Sequence, residues 1–327
     1  MNQSAKAERY LYATARIRAL ENSMIGRDGS SRLCDARSAA EAAREIAERA
    51  GVPDAETALE SMLSRAFGEV TEMTASSDDG RAFDVMRYPY DCHNIKYAMK
   101  CFARGRSARE AISGMYGFAS VDPVKVYEAA SGGDASCLPA NMAEAAETAA
   151  SEFAKNRDPK SIDIALDAAC YADMLAKADE SGIDIFKKAV RLKIDLTNIV
   201  TALRVLRLGG GRLMKAAMIK GGGLDTEKLS SLDGEGALWS LLRTSGFLPV
   251  AEAAVADDGF ESIEKACDMR YLGLFSGTRY IAYGPEIPAS YLTNVEYEVK
   301  NLRIILAGKT EGADPRVLRS RLREWWK

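Results

Sequence analysis

The sequence holds a single histidine, His93, among its 327 residues. A zinc site built from several histidines is therefore excluded, and His93 is the one imidazole that could serve as a base. Neither sign of charge is in excess, because 44 lysines and arginines stand against 47 aspartates and glutamates, for a formal net charge of -3. This balance argues against a nucleic-acid-binding protein.

Long apolar runs are also missing. Stretches such as NLRIILAG and YLGLF are well short of the ~18 to 20 residues that span a bilayer, so no membrane span is expected. The N-terminal stretch is amphipathic and lacks the apolar region of a secretory signal, which predicts a cytosolic chain. The six cysteines are scattered without a C-x-x-C pair, and we expect free, buried thiols.

Strand signals are sparse. Alternating β-branched stretches and Asn-Gly hairpins are absent, while Ala, Leu, Glu, Arg and Lys dominate most windows, so the sequence predicts an all-α protein. Glycine-rich clusters such as LGGGR (208–212) and KGGGLD (220–225) punctuate the helices. Neither cluster matches a phosphate-binding pattern, and we interpret both as turns. No cofactor and no metal are expected.

One pattern occurs three times: an acidic residue, an asparagine three places later, and then isoleucine or leucine. Of the eight asparagines in the chain only three fit it. The copies are Asp91, Asn94 and Ile95; Asp195, Asn198 and Ile199; and Glu298, Asn301 and Leu302. Successive asparagines are 104 and 103 residues apart. This near-constant period indicates an internal repeat.

Further residues keep the same register. A glycine lies eleven positions after each asparagine, at Gly105, Gly209 and Gly312. We predict that helices stop there, because glycine takes left-handed backbone angles at little cost. Two positions later come Ser107, Gly211 and Asp314, which we predict to be N-caps of following helices.

A second, looser element precedes each motif. It consists of an apolar–acidic pair and a Leu or Cys three residues after the acid: Leu59-Glu60 with Leu63, Leu166-Asp167 with Cys170, and Ile263-Glu264 with Cys267. We therefore predict three helical units of about 100 residues. They cover residues 1–130, with an added N-terminal helix at about 5 to 25, then 131–232 and 233–327. Their divergence favours a closed three-part body over an open solenoid.

The repeated pair allows three interpretations. An acid and an asparagine three residues apart share one face of a helix, beside its apolar stripe, and must be hydrogen-bonded if buried. They could tie each helix to a neighbouring segment, converge near a pseudo-threefold axis and face a partner, or take part in catalysis.

Several stretches point to a known family. They include Gly284-Pro285-Glu286, Tyr291, the run from Glu298 to Ile305 and Gly308-Lys309, followed by an Arg- and Leu-rich end. Together, from Ala282 to Trp326, they resemble the C-terminal signature of the central-stalk subunit of A/V-type ATPases, called C in archaeal and bacterial enzymes and d in eukaryotic ones. RYLYATARIRALE (9–21), DCHNIK (91–96) and GGGLD (221–225) are similar to that family as well.

The resemblance implies an all-α, funnel-shaped protein of three similar parts around a pseudo-threefold axis. It implies a non-catalytic adaptor that seats the central shaft on the membrane ring of proton- or sodium-carrying rotor subunits and transmits torque. Such a chain would be peripheral, on the cytoplasmic face of the membrane, and would bind no nucleic acid.

Two alternatives come from other functional classes. One is an all-α enzyme with Mg²⁺ held by clustered carboxylates such as Asp91, Asp195 and Glu298. The other is a general helical scaffold for a soluble partner.

Overall fold

A computed structural model of the chain describes residues 3–75, 80–156, 159–209, 211–256 and 259–325. The regular structure in these ranges is helical, with no strand, which confirms the all-α prediction. The first helices are α1 Gln3–Glu21, α2 Gly26–Asp35, α3 Ala39–Ala50, α4 Ala55–Thr74, α5 Tyr88–Ala103, α6 Ala108–Ser113, α7 Pro123–Ala130, α8 Ala140–Asn156 and α9 Pro159–Ser181. They are followed by α10 Asp184–Arg207, α11 Gly211–Ala217, α12 Thr226–Ser230, α13 Glu235–Thr244, α14 Leu248–Ala256, α15 Phe260–Gly273, α16 Glu286–Thr310 and α17 Pro315–Arg321.

The helix ends follow local sequence signals. The glycines eleven places after the motif asparagines have φ of 67° at Gly105, 65° at Gly209 and 73° at Gly312, directly beyond the last turns of α5, α10 and α16. Ser107 and Asp314 cap α6 and α17 through their side chains. Gly211 differs from its predicted place before a helix, because it is itself the first residue of α11.

The helices form two compact units, which differ in extent from the three units of the repeat. The first unit contains residues 1–80 and 236–327, and the second contains 81–235. Helices α1 to α4 of the first repeat therefore pack with helices of the third. Helix α5 packs with α8 and α9 of the second repeat, and α6 and α7 lie in the same unit. The boundaries at 130 and 232 describe a period in sequence, and as structural divisions they stay a prediction.

Helix α16 organises the first unit. It packs against α1, α2, α3 and α4, and its apolar residues Leu302 and Ile305 are fully buried. Ile17 of α1 and Leu59 and Phe67 of α4 are also removed from solvent. Burying each such side chain contributes about 1.5–3 kcal/mol relative to leaving it exposed, so this core fixes the position of α16.

Helix α9 organises the second unit. It packs along α8 and also against α5 and α10. Leu166 of α9, Ile95 of α5 and Ile199 of α10 have no exposed surface, and Phe83 meets Phe186 edge-on with ring centroids 5.1 Å apart. The motif helices α5 and α10 are thus held on one central helix.

Candidate functional site

The three repeated pairs lie on the long helices α5, α10 and α16, on their buried sides. The asparagines Asn94, Asn198 and Asn301 are 0% exposed, and the acids Asp91, Asp195 and Glu298 are 0%, 5% and 1% exposed. A polar group left unsatisfied at such burial costs about 1–3 kcal/mol. Each pair must therefore find partners within the chain, and each one does.

Each asparagine clamps the backbone of one residue. The Asn94 Nδ2 donates to the carbonyl of Tyr116, and the N–H of Tyr116 donates to Asn94 Oδ1, both at 2.9 Å. Asn198 holds Ile219 in the same way, at 2.7 and 2.8 Å. Asn301 holds Arg323, with both distances 2.8 Å. We call this paired contact the amide clamp.

The clamped residues occupy equivalent places. Tyr116, Ile219 and Arg323 lie 22, 21 and 22 residues after their asparagines. Each comes two or three residues after a short helix, namely α6, α11 or α17. The clamp thus folds the short helix back on the long helix before it and satisfies both backbone groups of the residue that leaves it.

The acids of the first two copies bind the next turn of the chain. Asp91 accepts from Ser120 Oγ at 2.6 Å and from the N–H of Val121 at 2.9 Å. Asp195 accepts from the N–H groups of Gly223 and Leu224 at 2.9 and 2.8 Å. Immediately after these segments the N-caps Asp122 and Asp225 begin α7 and α12.

The acid of the third copy is satisfied from the other end of the sequence. Glu298 Oε1 accepts from the N–H of Gly26 at 3.0 Å, 272 residues away. Gly26 begins α2, and α2 packs against α16 and α17 as α7 packs against α5 and α6. An N-terminal helix thus occupies, in the third copy, the place that α7 occupies in the first.

Burial raises the pKa of all three acids. It raises that of Asp91 to about 6 and that of Glu298 to about 7, and it also places the pKa of Asp195 above its ordinary value. The N–H donors oppose the shift because they favour the charged form. Each carboxylate thus already accepts hydrogen bonds from donors of the chain itself.

The glycines of KGGGLD allow a close approach to Asp195. A Cβ at Gly222 would lie 2.1 Å from Asp195 Oδ1, and one at Gly221, where φ is 101°, would lie 2.3 Å from Leu175 Cδ1. A side chain at Gly222 would separate this turn from α10, and one at Gly221 would press against α9. The cluster thus serves a backbone–carboxylate contact, in agreement with its interpretation as a turn.

The pairs remain separate sites. In the hydrogen bonds of the described residues, no pair binds another pair. The first two pairs bind the segment that follows their helix, and the third binds both Arg323 and Gly26. Within the described ranges, His, Cys, Asp and Glu side chains form no group of three or more able to hold a metal ion. The positions of Asp91, Asp195 and Glu298 therefore do not support the alternative of an enzyme in which clustered carboxylates hold Mg²⁺.

The repeat pattern gave no sign of Asp268, which joins α15 to α16 and the clamped segment. Its carboxylate accepts from Tyr297 Oη at 3.1 Å, from Lys300 Nζ at 2.6 Å and from Arg323 Nε at 2.7 Å. Arg323 is thereby fixed through its backbone by Asn301 and through its side chain by Asp268. Because Asp268 has no counterpart at repeat spacing, only its contacts identify it.

Two comparisons relate the chain to known proteins. The model of a family described as "ATP synthase (C/AC39) subunit" matches residues 13–321. The C subunit of the A-type ATP synthase of Haloferax volcanii is 26% identical over 342 residues, which cover 95% of this chain and 96% of that protein. In the part of the chain that the structure describes, no helix is long and apolar enough to cross a bilayer.

Proposed function

The chain belongs to the family of ATP synthase C/AC39 subunits, and we propose that it is the central-stalk adaptor of a rotary A/V-type ATPase. The family consists of accessory rather than catalytic subunits. In this proposal the chain seats the central shaft on the membrane rotor ring. It is peripheral, at the cytoplasmic face, and transmits torque between ATP turnover and proton or sodium transport.

The observation that carries this proposal is the threefold recurrence of the amide clamp. Each clamp consists of two short hydrogen bonds at a buried site, and each fixes a short helix on a long one. A part that carries torque must resist deformation, and a fully satisfied buried polar network is rigid because any displacement leaves its groups unpaired. Three such clamps would stiffen three parts of the chain, as transmission of torque requires.

The packing of the motif helices supports an arrangement around a common axis. Helix α5 of the first repeat packs against α9, which carries the second element of the second repeat. Helix α16 of the third repeat packs against α4, which carries the second element of the first. Closed cyclic order requires a contact from each repeat to the next, and two of these contacts, from the first repeat to the second and from the third to the first, are present. We propose a pseudo-threefold funnel on this basis.

Co-purification tests the proposed partners. A tagged copy of the full chain, expressed in its source cells, should bring down ring and shaft subunits after mild solubilisation of the membranes. An unrelated cytosolic protein with the same tag is the control. A membrane ATPase that is purified with its ring and shaft and lacks this chain would refute the proposal.

Reconstitution tests the proposed role in torque transmission. Vesicles that contain the ATPase without this chain should hydrolyse ATP but fail to take up ions, and adding the chain should restore uptake. Equal ATP-driven uptake with and without the chain would contradict a role in coupling.

An Asp195→Asn variant tests the alternative that the chain is an enzyme with a carboxylate-bound Mg²⁺. Loss of a Mg²⁺-dependent activity by a folded variant would favour that alternative.

A further inference from the structure

Two cysteine thiols face each other between α5 and α9 in the second unit. Cys92 Sγ donates to the carbonyl of Leu166 at 3.4 Å, and Cys170 Sγ donates to the carbonyl of Tyr88 at 3.5 Å. Leu166 lies one helical turn before Cys170, and Tyr88 lies one turn before Cys92. Each thiol therefore contacts the turn of the neighbouring helix that ends at the other cysteine.

This thiol pair lines a cavity of about 250 Å³. The cysteines themselves are only 4% and 5% exposed, whereas His93 and Asp167 on the cavity wall are exposed to solvent. Lys96, which pairs with Asp167 at 2.5 Å, and Lys193 also line the cavity. With Lys96 and Lys193 positive and Asp167 negative, the wall has a net positive charge, which favours the approach of a small anionic molecule to the sulfurs.

We propose that Cys92 and Cys170 form a reversible dithiol–disulfide site that reacts with anionic low-molecular-weight disulfides, such as oxidised glutathione. The Cys92 thiolate attacks one sulfur of the small disulfide, whose S–S bond breaks and releases one thiol. Cys170 then gives up its proton and attacks the Cys92 sulfur, which releases the second thiol. Two protein thiols are oxidised to one disulfide, and one small disulfide is reduced to two thiols.

The order of attack follows from the surroundings of the two sulfurs. The neighbouring Cys92 sulfur and burial raise the pKa of Cys170 well above its usual range, although the charge of Lys193 opposes the shift. Because the thiolate is the nucleophile in this exchange, we assign the first attack to Cys92 and the second to Cys170. The resulting bond would join α5, which carries Asp91 and Asn94, covalently to α9.

The test uses the full-length protein, equilibrated with mixtures of reduced and oxidised glutathione and then alkylated. As the oxidised fraction increases, intact mass should show the loss of two alkylation sites, and a peptide map should recover a Cys92–Cys170 disulfide. The oxidised protein should also unfold at higher urea concentration than the reduced protein. Full alkylation of both cysteines in excess oxidised glutathione would overturn the proposal, as would Cys92 found only as a mixed disulfide.

Three variants give the matched comparison. Cys170→Ser should accumulate glutathione on Cys92, because the second step is blocked, and Cys92→Ser should leave Cys170 reduced. Cys101→Ser changes a buried cysteine of the same helix α5 and should oxidise like the wild type. If Cys92→Ser or Cys170→Ser loses its helical circular dichroism signal, the peptide map of the wild-type protein alone tests for the Cys92–Cys170 disulfide.

Discussion

Replacing Asn198 by alanine removes one amide clamp and leaves the surrounding helices unchanged in sequence. The variant loses the bonds of 2.7 and 2.8 Å to Ile219, at a position with no exposed surface. The N–H and carbonyl of Ile219 then lack these partners, at about 1–3 kcal/mol for each group. We expect the free energy of unfolding to decrease by about 2 to 6 kcal/mol in total.

Urea unfolding followed by two signals measures this loss. Circular dichroism reports on helices of both units, whereas Trp239 and Trp325 belong to the first unit and Trp326 directly follows Trp325 in the sequence. Asn198 belongs to the second. Asn198→Ala should therefore shift the circular dichroism transition to lower urea, and the tryptophan transition moves with it only if the two units unfold together.

The control is Asn22→Ala, the same chemical change at an exposed position, which should alter stability by no more than about 0.5 kcal/mol. A loss below about 1 kcal/mol for Asn198→Ala, with the helix content intact, would refute the amide clamp as a stabilising device.

An aspartate at the same position sharpens the test. Asn198→Asp can still accept from the N–H of Ile219 but, when ionised, cannot donate to its carbonyl. Its pKa in the folded state should exceed the unfolded value, so the protonated form is favoured on folding. The variant should be closest to the wild type at low pH and lose stability as pH increases through the folded pKa. A defect that does not vary with pH would contradict this account.

The remaining predictions concern the carboxylates. Burial raises the pKa of Glu298 from 4.5 to about 7, so folding favours the protonated form of this residue. As pH increases from 4.5 to beyond 7, the wild type should therefore lose up to about 3 kcal/mol of stability relative to Glu298→Gln. Glu311→Gln at an exposed site is the control, and parallel pH profiles for wild type and Glu298→Gln would contradict the assignment. Gly222→Ala should destabilise by about 1–3 kcal/mol in thermal unfolding, because its Cβ would overlap Asp195 Oδ1. Gly236→Ala, where nothing lies near the added Cβ, should leave the stability almost unchanged. Equal stability of the two variants would show that the turn at Gly222 shifts to accept a side chain.

The helical class and the register of the repeat could be predicted from the sequence because they depend on local chemistry. Helix-forming residues, capping side chains such as Ser107 and the glycine at 209 act within a few residues of their own position. The spacing of the three asparagines needed no structure either. Gly211 shows the limit of such reasoning, since a residue acceptable as an N-cap can also begin the helix.

The partners of the buried polar groups were decided by tertiary structure alone. No local signal connects Asn301 to the backbone of Arg323, Glu298 to Gly26 or Asp268 to Lys300. The sequence determined that three helices each carry an acid and an asparagine on one face. Which backbone groups meet them depends on how distant helices pack, because a buried donor or acceptor is satisfied by whatever the complete fold brings within about 3 Å.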